Sequence, residues 1–406
     1  MVIYKAAVIG AGTMGSQIAQ LISSSGLPVI LKDTNEEALK KGIETIRRVF
    51  QGRVEKGNLT SGEMEQKLAL VRGSIRYDGF QDTDIVIEAI DENVKVKQNL
   101  FQEIERICPD RTIFATNTSS LSISAIASAV KRQDKVIGMH FFNPAYIMKL
   151  VEVIPGMATS RETVDDVVAL SESLKKLPIK VQECPGFLVS RLLMPYLNEA
   201  AIAIWESAQP IRMMKEVDQM ILSMGMPMGP YRLSDMIGID ILEKVSDILY
   251  EAYGPRMSPA RLINEMVKAK RLGQKCGTGF YSADPEKDKE LDTIIKKEKM
   301  KYFLKSTPVS IERLIYPMIN EAVFTLQETI ATASDIDTAM MAGVGFPQDK
   351  GGPLHFADQI GIDIVLSKLE ELSKTLGTRF WPAYRLKKMA VAGYLGVKSG
   401  KGFFTY

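Results

Sequence analysis

KAAVIGAGTMGSQIAQLISSSG, residues 5–26, passes from a short apolar run through three glycines into a segment with Ile18, Leu21 and Ile22 at helical spacing. A strand, then Gly10-x-Gly12-x-x-Gly15, then a helix is the order that a pyrophosphate site requires. Gly10 permits the tight turn, Gly12 leaves room for backbone to approach the phosphates, and Gly15 lets helix pack on strand, while the helix N-terminus offers N–H donors. LPVILKD then predicts a second strand ending in Asp33, 18 residues past Gly15. A carboxylate there can accept hydrogen bonds from ribose hydroxyls and would repel a 2′-phosphate. With no arginine directly after it, Asp33 favours NAD over NADP, whereas Lys32 pulls the other way.

Strands follow at DIVIEAI (84–90), TIFATN (112–117) and KVIGMHFF (135–142), with helices over residues 93–107 and 123–130 between them. Alternating strands and helices predict an α/β, doubly wound parallel sheet of Rossmann type. Residues 36–71 are longer than a crossover needs and predict two amphipathic helices joined by Lys56-Gly57-Asn58. Arg53 and Lys56 in this arm are candidates for a phosphorylated substrate tail, or simply solvated helix faces.

At 406 residues, 46% hydrophobic and 25% charged, the chain should divide into two or three domains. Lys+Arg 51 against Asp+Glu 49, with no long block of like charge, argues against nucleic acid as a partner. Cys108, Cys184 and Cys276 are far apart and form no CxxC pair, which suits a reducing compartment; the cytoplasm is expected. MVIYKAAVIGAG runs straight into a strand, so no signal peptide is expected, and no apolar run approaches the roughly 18 residues of a membrane span.

Of the two histidines, His140 ends the strand KVIGMHFF, at the carboxyl edge where open α/β sheets bind ligands. Glu152, in the strand-like KLVEVI, can return alongside, hold the imidazole in one tautomer and stabilise the imidazolium. Asn143 can donate its amide to a substrate oxygen, and TNTSS brings Asn117, Ser119 and Ser120 to another strand end. A base with a pKa near roughly 6.5 suits removal of a hydroxyl proton while carbon gives up hydride, and no metal is required. His355, in GGPLHFADQIG, has no matching carboxylate strand and reads as structural.

GAGTMG, VIEAIDENVKVK, TNTSSLSI, HFFNPAYIMKLVEV and PGFLVSRLLMPYLNEA together resemble, in order, landmarks of the 3-hydroxyacyl-CoA dehydrogenases. The resemblance implies His140 and Glu152 as the catalytic pair, with Ser119 and Asn143 near the substrate's 3-oxygen or the nicotinamide. It also implies that Ala11, Thr13 and Met14 in the glycine turn, with Ala89, Glu92 and Lys97, line the cofactor. The arm after Asp33 resembles the family's cover over the CoA moiety, which makes Lys56 and, with it, Arg53 candidates for CoA binding, and Ser119 in TNTSS is a further candidate. One departure stands out: Ser190 in PGFLVSRLL replaces the family's usual asparagine and is shorter, with one hydrogen to donate.

The second half repeats itself about 120 residues apart. RLLMPYLNEA (191–200) recurs as RLIYPMINEA (313–322), DMIGIDI as DQIGIDI, and LGQKCGTGFY (272–281) as LGVKSGKGFF (395–404). Two copies of an all-α domain are therefore expected, joined by a mixed-charge linker at 284–301. The expected domains are 1–186 (dinucleotide-binding), 187–303 (first helical copy) and 304–406 (second). Single-copy relatives pair such domains across a two-fold axis, so the second copy can stand in for a partner subunit; a monomer is expected, with a homodimer left open. The chain stops after GKGFFTY, and no enoyl-CoA hydratase domain is expected.

The resemblance thus implies NAD-dependent oxidation of (S)-3-hydroxyacyl-CoA, including short-chain 3-hydroxybutyryl-CoA, to 3-oxoacyl-CoA. Two alternatives stand beside it: another NAD-dependent hydroxy-acid dehydrogenase, and a catalytically silent NAD-binding protein, the latter prompted by Ser190.

Overall fold

The computed structural model describes residues 2–302 and 309–406, so the expected boundary at 303/304 lies outside the described residues. It divides into two compact units, 1–187 and 188–406. Among the described residues, no helix is long and apolar enough to cross a membrane.

The first unit is built on an eight-stranded sheet: β1 (Ala6–Ile9), β2 (Val29–Lys32), β3 (Val71–Ser74), β4 (Ile85–Glu88), β5 (Ile113–Thr116), β6 (Val136–Phe141), β7 (Leu150–Pro155) and β8 (Leu177–Lys180). The spatial order is β3-β2-β1-β4-β5-β6-β7-β8. All neighbours run parallel except β6 and β7. Only residues 142–149 join those two, too few for the dozen or more that a parallel crossover needs, so the chain returns antiparallel. The inner strands β1, β2, β4 and β5 are buried throughout, as strands covered on both faces are. β3 and β8 are not singled out in the sequence reading. They lie at the sheet's edges, are partly exposed, and lack a continuous apolar run.

Six helices flank this sheet: α1 (Thr13–Ser24), α2 (Glu36–Glu55), α3 (Ser61–Ala69), α4 (Val94–Glu105), α5 (Ile123–Ala127) and α6 (Arg161–Ser173). The expected two-helix arm is α2 and α3, capped by Asn35 and by the reciprocal Thr60–Glu63 pair. α1 buries Ile18, Ala19 and Ile22 completely against the sheet. Its close approach depends on Gly15, where a Cβ would stand 1.8 Å from the Gly10 carbonyl oxygen.

The second unit is helical. Its first half holds α7 (Val189–Glu206), α8 (Pro210–Met224), α9 (Pro230–Ile237), α10 (Ile239–Tyr253), α11 (Arg261–Lys268) and α12 (Pro285–Tyr302). Its second half holds α13 (Ile311–Gln327), α14 (Ala333–Val344), α15 (Pro353–Ile360), α16 (Ile362–Leu376) and α17 (Tyr384–Val391). The expected linker at 284–301 is instead helix α12, packed on α7, α8 and α11 with Leu291 and Ile295 fully buried. Those two residues, one helical turn apart, form an apolar strip that the surrounding charges conceal in a reading by composition.

The repeats explain each other's packing. α7 and α13, the two copies of the repeated helix, pack together through reciprocal ion pairs. Arg191 Nε meets Glu321 Oε1 at 2.7 Å and Arg313 Nε meets Glu199 Oε1 at 2.6 Å. Arg379 adds a second bond to Glu199 at 2.6 Å, and Arg256 one to Glu321 at 3.3 Å. Residue i of one copy bonding j of the other, and the converse, is the pattern of an isologous contact written within one chain.

Each closing segment is held by an aspartate. Asp235 accepts from the Phe280 and Tyr281 amides at 2.7 and 2.9 Å, and Asp358 from those of Phe403 and Phe404 at 3.0 Å each. A Cβ on Gly279 or Gly402 would stand 1.9 Å from the clamping carboxylate, which accounts for the repeated glycine. Burial, outweighing the two amide hydrogen bonds, pushes Asp235 up to about 6.

Two outcomes follow from this packing. Glu199→Gln replaces the carboxylate that Arg313 and Arg379 share with a neutral amide, leaving buried Arg313 with Glu206 as its carboxylate, and should cost about 1–3 kcal/mol in urea unfolding of the helical unit; Glu216→Gln, in an exposed pair, should leave the midpoint in place. For Asp235, the folded carboxyl holds its proton up to a higher pH than the unfolded one, so lowering pH from 7 to 4 favours the folded state. The stability difference between the native chain and Asp235→Ala should therefore widen across that window, measured by thermal melts at each pH.

Candidate active site

His140 and Glu152 stand directly opposite each other in the β6–β7 ladder. Opposed residues share a face with Cβ atoms about 5 Å apart, so an imidazole and a carboxylate can meet without crossing the sheet. His140 Nδ1 lies 2.7 Å from Glu152 Oε2, with side chains 10% and 1% exposed. A carboxylate on Nδ1 holds the proton there and leaves Nε2 as the basic nitrogen. The rings of Phe142 and Phe187 flank the imidazole, with centroids 4.6 and 5.9 Å away.

The neighbouring strand ends are tied to His140 by amides. Asn117, beyond β5, accepts the Phe141 N–H through Oδ1 at 2.8 Å. Gln17 of α1 donates to Asn143 Oδ1 at 3.2 Å and accepts from the Ala145 N–H at 2.6 Å. With its carbonyl engaged, Asn143 keeps its Nδ2 hydrogens to offer a ligand. Gln17 was not singled out in the sequence; its only signal is a glutamine beside Ile18 on the inward face of α1.

Glu92 organises the loop after β5. Its Oε1 accepts from the Thr118 hydroxyl at 2.6 Å, the Ser119 N–H at 2.9 Å and the Ser119 hydroxyl at 3.2 Å. Burial would raise its pKa, but Lys97 and the bonds from Thr118 and Ser119 outweigh that and hold it below the usual carboxylate range. Lys97 is buried, 2.6 Å from Glu88 Oε1 and 3.4 Å from Glu92 Oε2. Glu88, at the end of β4, also accepts from the Thr116 hydroxyl at 2.6 Å and the Ile90 N–H at 2.7 Å. This second missed residue sits inside an apolar run, VIEAI, where only its charge marks it.

The glycine turn has the geometry a pyrophosphate needs. Gly10 has φ +102°, and a Cβ on it would lie 2.4 Å from the Ala89 carbonyl oxygen. Gly12 caps α1 with no side-chain hydrogen bond, and a Cβ there would meet nothing within 4 Å. The turn thus presents a free helix N-terminus, at Thr13, Met14 and Gly15, beside open approach space, which fits a dinucleotide. Asp33 Oδ2 accepts the Ala11 N–H at 2.8 Å and Oδ1 the Asn35 N–H at 3.0 Å, so the carboxylate is fixed beside the turn. Lys32 Nζ lies over the Tyr77 ring, 4.3 Å from its centroid.

The remaining expected site residues are carried by other elements. Arg53 donates to Ser24 Oγ at 3.0 Å, at the far end of α1, about 17 Å along the helix from the glycine turn. Lys56 is exposed just past the end of α2. Ser190 is in the first turn of α7, in the other compact unit from His140. His355, read as structural with no matching carboxylate strand, meets a carboxylate from a helix: Asp337 Oδ2 is 2.8 Å from its Nδ1. It stacks on Phe404 with centroids 3.7 Å apart, which fits a role in seating the closing segment.

Residues 5–184 match the family profile "3-hydroxyacyl-CoA dehydrogenase, NAD binding domain", and residues 186–283 and 310–406 each match "3-hydroxyacyl-CoA dehydrogenase, C-terminal domain". A glyoxysomal fatty acid beta-oxidation multifunctional protein of Cucumis sativus is 35% identical over 404 residues, 96% of this chain and 55% of that protein. A fatty acid oxidation complex subunit alpha of Pseudomonas savastanoi is 37% identical over 400 residues, again 96% and 55%. This chain therefore spans about half the length of the curated relatives it matches. Among solved structures, a 3-hydroxybutyryl-CoA dehydrogenase of Escherichia coli K12 superposes with a TM-score of 0.85 at 30% identity, covering 97% of this chain and 100% of that one. The matched profiles account for both compact units, and the chain belongs to the 3-hydroxyacyl-CoA dehydrogenase family.

Proposed function

We propose that this chain oxidises the 3-hydroxyl of an (S)-3-hydroxyacyl-CoA to the 3-oxo group, and catalyses the reverse reduction, with NAD as the hydride carrier. The observation that carries the proposal is the buried His140–Glu152 pair, 2.7 Å apart, beside a glycine turn open to a dinucleotide. His140 Nε2 removes the hydroxyl proton, and Glu152 stabilises the imidazolium that results. Asn143 Nδ2 and the Ser119 hydroxyl are the donors for the substrate's 3-oxygen, with Glu92 holding the Ser119 loop in place. NAD, when bound, accepts the hydride from the substrate carbon. Gly10, Ala11, Gly12, Thr13, Met14, Gly15, Asp33 and Ala89 would hold it, with Glu92 and Lys97 as the supporting ion pair.

We read the chain as three modules, 1–186, 187–303 and 304–406, acting as a monomer in the cytoplasm. The reciprocal Arg191–Glu321 and Arg313–Glu199 bonds support the second copy's standing in for a partner subunit. Short-chain substrates are favoured by the likeness to a structure named for 3-hydroxybutyryl-CoA. Lys56 and Arg53 are offered as contacts for the distal end of an extended CoA, and Ser190 as a weaker replacement for an asparagine that orients substrate.

NADH oxidation with acetoacetyl-CoA tests the reaction, with NADPH offered in parallel. His140→Gln should lower kcat by about 10²–10⁴-fold while leaving NADH binding intact, and NADPH should support far less turnover than NADH. Cofactor binding with no turnover on any acyl-CoA would instead make this a silent NAD-binding protein, and turnover on free hydroxy acids alone would favour the other dehydrogenase class. Light scattering should return a mass near 45.1 kDa; twice that value would refute the internal-partner reading.

A further inference from the structure

The two halves of the helical unit differ in one covered face. In the first half, α12 lies over α7, α8 and α11, seals Leu262 and Arg271 to 0% and 1% exposure, and is tied down by Arg271 Nη1 to the Lys287 carbonyl at 2.8 Å. In the second half, 123 residues later, Arg385 and Tyr394 occupy these positions, and both are exposed. With Tyr384, Lys388, Met389 and Lys401 they line a groove of about 590 Å³. Beside it, Trp381 is 58% and Val391 91% exposed, large apolar side chains that the corresponding face of the first half does not leave open to this degree.

The polar chemistry of this face has also changed. Arg385, Lys388 and Lys401 replace Leu262, Glu265 and Thr278, and no carboxylate is among the residues lining the groove. Lys401 Nζ lies 4.1 Å above the Tyr394 ring. A floor of methionine, alanine and tyrosine with three cations at its margin is complementary to an apolar strip flanked by acids. α12 shows on the equivalent face that a helix with apolar residues at i and i+4 is what such a groove seats. A second copy's α12 is a poor occupant, because its own strip is already buried and its remaining surface is rich in lysine.

We propose that the groove on the second half is a docking site for an amphipathic, acidic helix of a partner polypeptide, seated as α12 is seated on the first half. The probe is a fluorescein-labelled peptide of residues 285–302 carrying Lys289→Glu, Lys296→Glu, Lys297→Glu and Lys299→Glu, titrated against the full chain by anisotropy at low salt. Saturable binding at least tenfold tighter than that of the unaltered peptide is expected, weakening as salt rises. Arg385→Glu with Lys388→Glu should reduce it at least tenfold, whereas Arg261→Glu on the first half should not, and all variants should retain the thioester turnover of the native chain. The proposal is overturned by any of four results: no saturable binding, equal binding of both peptides, binding unaffected by the Arg385/Lys388 pair, or a doubled mass that this pair abolishes, which would make the face a contact between copies. Saturable AMP binding that the pair abolishes, without peptide binding, would reassign the groove to a small anion.

Discussion

The antiparallel pairing of β6 with β7 is the constraint on which the candidate active site rests. It sets His140 opposite Glu152, and because strand side chains alternate between faces, a slip of one residue would carry the carboxylate to the other side of the sheet. The connecting loop is itself secured, since Lys176 donates to the carbonyls of Ala145 and Met148. Burial pushes that ammonium down to about 8, a cost the fold tolerates to anchor the turn that carries Asn143. Gln17 joins the same turn to α1, so the glycine loop and the strand that carries His140 are held in one hydrogen-bonded frame.

Buried charge recurs in both units, and in each it is paired. Glu88, Lys97 and Glu92 form a chain from the core of the sheet to the Ser119 loop. In the helical unit, the arginine–glutamate pairs between α7 and α13 fix how the two copies meet. Such pairs contribute less to net stability than to selecting one arrangement, because an unmatched partner left in the interior is what costs most. The duplication also leaves the copies free to diverge, and the reversal from Glu265 to Lys388 is one place where they did.

Much of this was legible in the chain. Fully buried parallel strands carry continuous apolar runs, so β1, β2, β4, β5 and β6 announce themselves, and the three glycines mark a turn only glycine can make at Gly10 and Gly15. The edge strands β3 and β8 have no such run, and α12, with two apolar residues among many charges, passes for a linker. Glu88 and Gln17 went unmarked because a polar residue in an apolar segment gives no hint of which distant group it will meet.

The sequence by itself determined the inner strands and the helices between them, the glycine turn with Asp33, the repeat of the helical half, and His140 with Glu152 as partners, since these depend on local periodicity, on glycine sterics and on family motifs. Only the tertiary structure decided that Lys97 is buried on Glu88, that Gln17 holds Asn143, that His355 has a carboxylate in Asp337, and that Arg53 is engaged at the far end of α1. Each of these is a side-chain bond between residues 9 to 126 positions apart, set by how elements pack and not by the pattern within any one of them.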